Sequence, residues 1–134
     1  LDLLGFNIPE HLEGKTLRPW IERCEAPHGH PVFIEWNGPD ANGLDAVCRG
    51  GQLDGWIVDL ATPDQIRASC SDAVRTVITP DQWKLNHSPL GEHELYNLAE
   101  DPLETENLAK HPEYRLRFNR MEELIRQWQE ETHD

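Results

Sequence analysis

Between Glu94 and Ala109 the chain reads Glu-Leu-Tyr-Asn-Leu-Ala-Glu-Asp-Pro-Leu-Glu-Thr-Glu-Asn-Leu-Ala, a strand pattern, a stop and a return to apolar residues in unbroken succession. Few arrangements satisfy that order. Leu95, Tyr96 and Leu98 supply the large side chains of a short strand with a packed face. Asp101-Pro102 then ends it. Asp101 is placed to cap a helix, Pro102 to occupy the first helical position, where a missing N–H costs nothing, and Glu104 to close a capping box. A helical stretch of about one or two turns is expected to follow, ended by Asn107 in the left-handed conformation, with Leu108 returned to the apolar surface.

Two strand patterns precede this segment. Ala73 to Thr79 and Trp83 to His87 are joined by Pro80-Asp81-Gln82, and Ser88-Pro89-Leu90-Gly91-Glu92 leads on to the strand of His93 to Leu98. Connections this short permit only antiparallel neighbours. On the middle strand Trp83, Leu85 and His87 share one face, and Gln82, Lys84 and Asn86 the other. Pro31 to Trp36 is a further strand, with Val32, Ile34 and Trp36 alternating against Phe33 and Glu35. From Pro112 onward Tyr114, Phe118, Met121, Leu124, Ile125 and Trp128 recur at helical spacing, a stripe that reads as a core-facing surface. The fold class is therefore α+β, a small antiparallel sheet of about four strands covered by a long C-terminal amphipathic helix.

The first third of the chain is less patterned. Leu1 to Gly5 reads as the last turn of a helix begun upstream, stopped by Gly5. Phe6 to Ile21 reads as an extended connector punctuated by Pro9, Gly14 and Pro19, with Leu12, Leu17, Trp20 and Ile21 as anchors. Gly14-Lys15-Thr16 imitates the end of a phosphate-binding loop, but Pro9 stands where the first glycine belongs, so no nucleotide site is assigned. Cys24, His28 and His30 carry zinc-type donors without a fourth at suitable spacing, and the segment reads as an exposed loop. Residues 38–55 show no period and read as a long loop. Trp56-Ile57-Val58 is a short apolar run, and Thr62-Pro63-Asp64-Gln65 begins a helix of about two turns with Ile66 on its inner side.

Charge excludes two classes of partner. With 25 acidic and 12 basic side chains the formal charge is -13, which repels nucleic-acid phosphates and anionic lipid in the absence of a clustered basic patch. No apolar run approaches the length of a membrane span, and nothing in the chain reads as a secretory segment or a clue to localisation. The odd cysteine count, Cys24, Cys48 and Cys70, argues against a closed disulfide framework. Hydrophobic residues make up 37 % of the chain, a lean content that suits a subdomain completed by another surface.

Glu-Leu-Tyr-Asn-Leu at 94–98, Asp-Pro-Leu-Glu at 101–104 and Asn-Leu-Ala at 107–109 resemble the C-terminal subdomain of the sulfatase family, whose fold is of the alkaline phosphatase type. Arg75-Thr76, the turn after it and Trp83-Lys84-Leu85 resemble that family's hairpin. Thr16-Leu17-Arg18-Pro19 resembles its Ser/Thr-Leu-x-Pro, and Leu1 to Leu17 the segment that closes its large catalytic domain. The resemblance implies residues 1–25 as the tail of that catalytic domain with its connector, and 26–134 as the C-terminal subdomain. Its partner would be the catalytic domain of the same protein, and the parent's substrate a sulfated small molecule or saccharide.

Sulfatases use a formylglycine matured from Cys or Ser in a C/S-x-P-x-R motif, beside a calcium held by Asp and Asn side chains. None of the three cysteines here has Pro two residues on and Arg four on, and Asp40, Asp45, Asp54 and Asp59 lack the form of a metal-binding loop. No catalytic, metal or cofactor-binding residue is therefore expected in this chain, which alone is expected to be inactive. Calcium and formylglycine are expected of the parent. Asn37, Arg49, Arg67 and Lys84 are the candidates for a substrate-pocket rim, since such groups hydrogen-bond sulfate or carboxylate. Two alternatives stand beside this reading: the C-terminal part of a related phosphodiesterase or phosphonate hydrolase, and a non-catalytic carbohydrate-binding or interaction module.

Overall fold

Four short strands pair in sequence order into one antiparallel sheet: β1 (Val32–Glu35), β2 (Arg75–Ile78), β3 (Trp83–His87) and β4 (Glu94–Asn97). The computed structural model describes residues 1–12, 16–23, 29–37 and 59–134. These fall into two units, Leu1–His30 and Pro31–Asp134. The boundary expected after residue 25, the loop 38–55 and the run 56–58 lie outside the described residues.

Register explains the core. Phe33 faces Val77, Val77 faces Leu85 and Leu85 faces Leu95, so one apolar row crosses all four strands. Val77, Leu85 and Leu95 have no solvent exposure. A short 3-10 turn, Pro112–Tyr114, leads into the 18-residue helix Arg115–Thr132, which lays Phe118, Met121 and Ile125 over that row. Phe33 stacks on Trp128 at 5.1 Å, and Trp83 meets Tyr114 at 5.4 Å. The opposite face is polar at its centre. Thr76 Oγ1 donates to Asn86 Oδ1 and Asn86 Nδ2 to Glu94 Oε2, each at 2.7 Å, a ladder across three strands.

The β2–β3 turn places Gln82 at φ 62, with Thr79 N–H bonded to the Trp83 carbonyl at 2.8 Å. That is a turn followed by one left-handed residue, whose twist suits an antiparallel pair. Beyond it Arg117 ties the helix down: its guanidinium is 2.7 Å from Asp81 and 5.0 Å from the Trp83 ring centroid. At the far end Arg75 Nη2 donates to Asp134 Oδ1 at 2.7 Å and so joins β2 to the end of the chain.

Two expectations are corrected, and the sense of the β1 alternation is decided. Val32 and Ile34 are 57 % and 49 % exposed, and it is Phe33 that packs inward, because the register with Val77 puts the odd residue over the helix. No helix follows Pro102. Glu104 adopts φ 55 and its carboxylate reaches Lys84 Nζ at 2.7 Å rather than the backbone behind it, while Asp101 accepts from the Thr105 and Glu106 N–H groups at 2.7 and 2.9 Å. An Asx-type turn thereby takes the place of the capping box. Asn107 does not enter the left-handed region. Its Oδ1 accepts from Leu95 N–H at 3.1 Å and its Nδ2 donates to the His93 carbonyl at 3.1 Å, while Leu108 N–H bonds the Leu95 carbonyl at 2.8 Å. The segment therefore runs alongside β4, and Leu108 reaches the core as expected.

In the first unit Asp2–Leu4 forms a 3-10 turn capped by Gly5 at φ 76, as the glycine predicts. The connector is not extended throughout. Arg18–Arg23 forms a helix, α1, because Thr16 Oγ1 accepts from Arg18 N–H and Pro19 sits in its first turn, where no donor is needed. In the second unit the Thr62–Gln65 capping box is present and starts α2, Pro63–Cys70, with Ile66 buried. The long helix Arg115–Thr132 is α3.

Leu85 has no exposure and sits at the centre of the row under α3. Leu85→Ala is expected to lower the unfolding free energy by about 2–5 kcal/mol, read as a reduced denaturation midpoint at unchanged slope.

Candidate functional site

Three of the four side chains expected at a pocket rim lie among the described residues, each at a different place in the fold. Asn37 follows β1 and is exposed, its Nδ2 3.4 Å from Glu35 Oε2. Arg67 lies on α2, 3.3 Å from Asp64, with its Nε buried and without a hydrogen-bond partner among the described residues. Lys84 projects from β3 onto Glu104 at 2.7 Å. Arg49 lies outside the described residues, as do Cys24 and His28.

A cluster that the sequence reading did not single out sits where β3, the β3–β4 turn and α3 meet. His87 stacks on His93 with centroids 4.6 Å apart, His93 meets Phe118 edge-on at 5.1 Å, and His87 Nε2 is 3.2 Å from Glu122. Behind them Ser88 donates to Asp72 Oδ2 at 2.5 Å. Asp, Ser and His so close together invite comparison with a nucleophilic triad. The bonding is of another kind. Ser88 is 3 % exposed, its Oγ accepts from the Leu90 and Glu92 N–H groups at 3.1 and 3.2 Å, and His93 Nδ1 accepts from the Ser88 backbone N–H. The hydroxyl has neither access nor a base, since activation needs the imidazole on the nucleophile's proton. These bonds shape the turn, where Gly91 stands at φ 82.

The same bonding fixes the state of His93. Because Nδ1 accepts a backbone proton, the neutral ring carries its own proton on Nε2. Burial first, and then His87, hold the His93 pKa below the ordinary 6.5, against the opposing pull of Glu122 and Asp72. On its outer side the ring opens on a groove of about 660 Å³ lined also by Lys110, His111, Pro112, Arg115, Phe118 and Glu122. A pair of residues spaced so widely in sequence as His93 and Arg115 gave no local signal. Among the described residues no group of His, Cys, Asp and Glu is arranged to hold a metal ion, and no helix is long and apolar enough to cross a membrane.

No family model matches the chain, and no curated protein matches it. Solved structures do, among them two that each match over 99 % of this chain. One is a "putative sulfatase" from Bacteroides thetaiotaomicron VPI-5482, with a TM-score of 0.67 and 24 % identity, and the other a 2-O GAG sulfatase, with a TM-score of 0.66 and 24 % identity. The chain has a fold found within sulfatases. It spans 23 % of the length of each of those two chains.

A folded-state pKa below 6.5 for His93 means that the unfolded chain takes up the proton first. The stability this group contributes is therefore full above pH 6.5 and is lost as the pH falls through the lowered native value. A ring-proton NMR titration is expected to place His93 below 6.5. An inflection above that value would contradict the burial seen here.

Proposed function

We propose that this chain is the C-terminal part of a sulfatase, completing the fold of a parent enzyme whose catalytic domain lies elsewhere in the protein. The observation that carries this reading is the match in fold over the whole chain to a small share of two much longer sulfatase chains. It is supported by residues: Glu94–Leu98, Asp101–Glu104 and Asn107–Ala109 follow the sulfatase order, and the structure gives that order a physical reason. Asp101 turns the chain, Glu104 meets the strand lysine and Asn107 closes the edge of β4.

The chemistry belongs to the missing part. Among the described residues no group of three or more His, Cys, Asp or Glu is placed to hold a metal ion, and no cysteine stands in the maturation motif. Calcium and a formylglycine matured from Cys or Ser are proposed for the parent, with a sulfated saccharide or other sulfated small molecule as substrate. Asn37, Arg49, Arg67 and Lys84 are proposed as rim contacts. Lys84 and Arg67 would act there with part of their charge already answered by Glu104 and Asp64.

The test is made on the full-length protein, produced with the formylglycine-generating activity. Sulfate release from a sulfated saccharide is expected, with a formylglycine found upstream of this chain by mass spectrometry, and no release from residues 1–134 alone. Turnover by this chain alone would overturn the reading. So would a full-length protein with a threonine nucleophile that hydrolyses phosphate or phosphonate esters and no sulfate ester.

A further inference from the structure

The groove at the head of α3 collects what an anion needs. Lys110 and Arg115 both line it and neither forms an ion pair with a described residue, although the chain carries 25 acidic side chains. Four of the five other described arginines of this unit are answered, Arg67 by Asp64, Arg75 by Asp134, Arg117 by Asp81 and Arg126 by Glu123, and Arg120 is not. The guanidinium of Arg115 lies 5.9 Å from the centroid of Phe118, which also lines the groove, so its position is set by a ring and its donors are left uncommitted. His93 adds a neutral donor, its Nε2–H, because Nδ1 is engaged by Ser88 N–H at 3.2 Å. The 3-10 turn and α3 begin here without a side-chain cap at either start, and the positive end of the helix dipole adds to the two cations. Glu122 is the carboxylate in the wall, and it is turned to His87 at 3.2 Å.

We propose that this groove binds an oxyanion, the sulfate or carboxylate of a sugar, with Arg115 and Lys110 as its charged partners and His93 as a neutral donor. Pro112 and Phe118 give the site an apolar side against which a sugar ring packs. That the carrier is a sugar rests on the sulfatase reading, whereas the anion site does not. Arg115 is the group that fixes orientation, since a planar fork meets two oxygens at once, and Lys110 contributes as a point charge. The groove is open, so affinity falls as salt rises.

The experiment uses the full-length protein. Crystals are soaked in selenate, and calorimetric titrations are run with glucose 6-sulfate, with glucuronate and with uncharged glucose, for the parent and for K110Q/R115Q. An anomalous selenium peak within hydrogen-bond distance of Arg115 is expected. Binding of one or both sugar anions is expected to weaken at least about tenfold in the double variant, about 1.4 kcal/mol, with R115K in between and the unfolding midpoint unchanged. Sulfate alone, glucuronate alone or both would each support the site and name the group it takes. Absence of the selenium peak, together with isotherms that the variants leave unaltered, would overturn it. A full-length protein that binds selenate in the groove but cleaves no sulfate ester keeps this site and removes the sulfatase reading. One that cleaves sulfate esters with no anion in the groove does the reverse.

Discussion

The row formed by Phe33, Val77, Leu85 and Leu95 carries the rest of the molecule, because it fixes at once the register of every strand pair and the place of the helix. A slip of one residue in any pair would send that row to the polar face and bring Thr76 and Asn86 under Phe118 and Met121. The helix answers the row at both ends with aromatic contacts, Tyr114 on Trp83 and Trp128 on Phe33. With so small a sheet, burial of that single surface is what offsets the entropy of ordering the chain.

The parts read correctly from sequence are those where local preference and tertiary packing agree. The stripe from Tyr114 to Trp128 has a period that nothing but a helix satisfies, and Thr62 with Gln65 forms the capping box its residue types imply. Asp101-Pro102-Leu103-Glu104 has equally good helical credentials and is not helical, because Glu104 finds a lysine on the neighbouring strand and Asn107 finds an open strand edge. Both partners are set by the fold. For β1 the alternation is legible and its sense is not: Val32 and Ile34 outweigh Phe33 in number, and only pairing with β2 decides which side is covered. The helix at Arg18–Arg23 was hidden by Pro19, which falls in the first turn, where helices tolerate a proline.

The candidate sites divide in the same way. Residue type alone marked Asn37, Arg49, Arg67 and Lys84, and of the described ones each has an acidic neighbour within reach. Lys110 and Arg115 are as ordinary in sequence. What sets them apart is position, at the head of a long helix beside a histidine whose protonation is imposed by a backbone N–H. A strongly acidic chain thus keeps a small cationic recess, and the contrast with its surroundings is visible only after the strands have turned back on α3.

Asn107 offers a last consequence. Its carboxamide presents an acceptor to Leu95 and a donor to His93, as a peptide group of a further strand would. A side chain standing in for backbone gives the margin of the sheet a chemical lifetime of its own. Hydrolysis of that amide to a carboxylate would keep the acceptor and set a second oxygen against the His93 carbonyl, so that slow deamidation, with no change elsewhere, would unpick β4 from its outer edge.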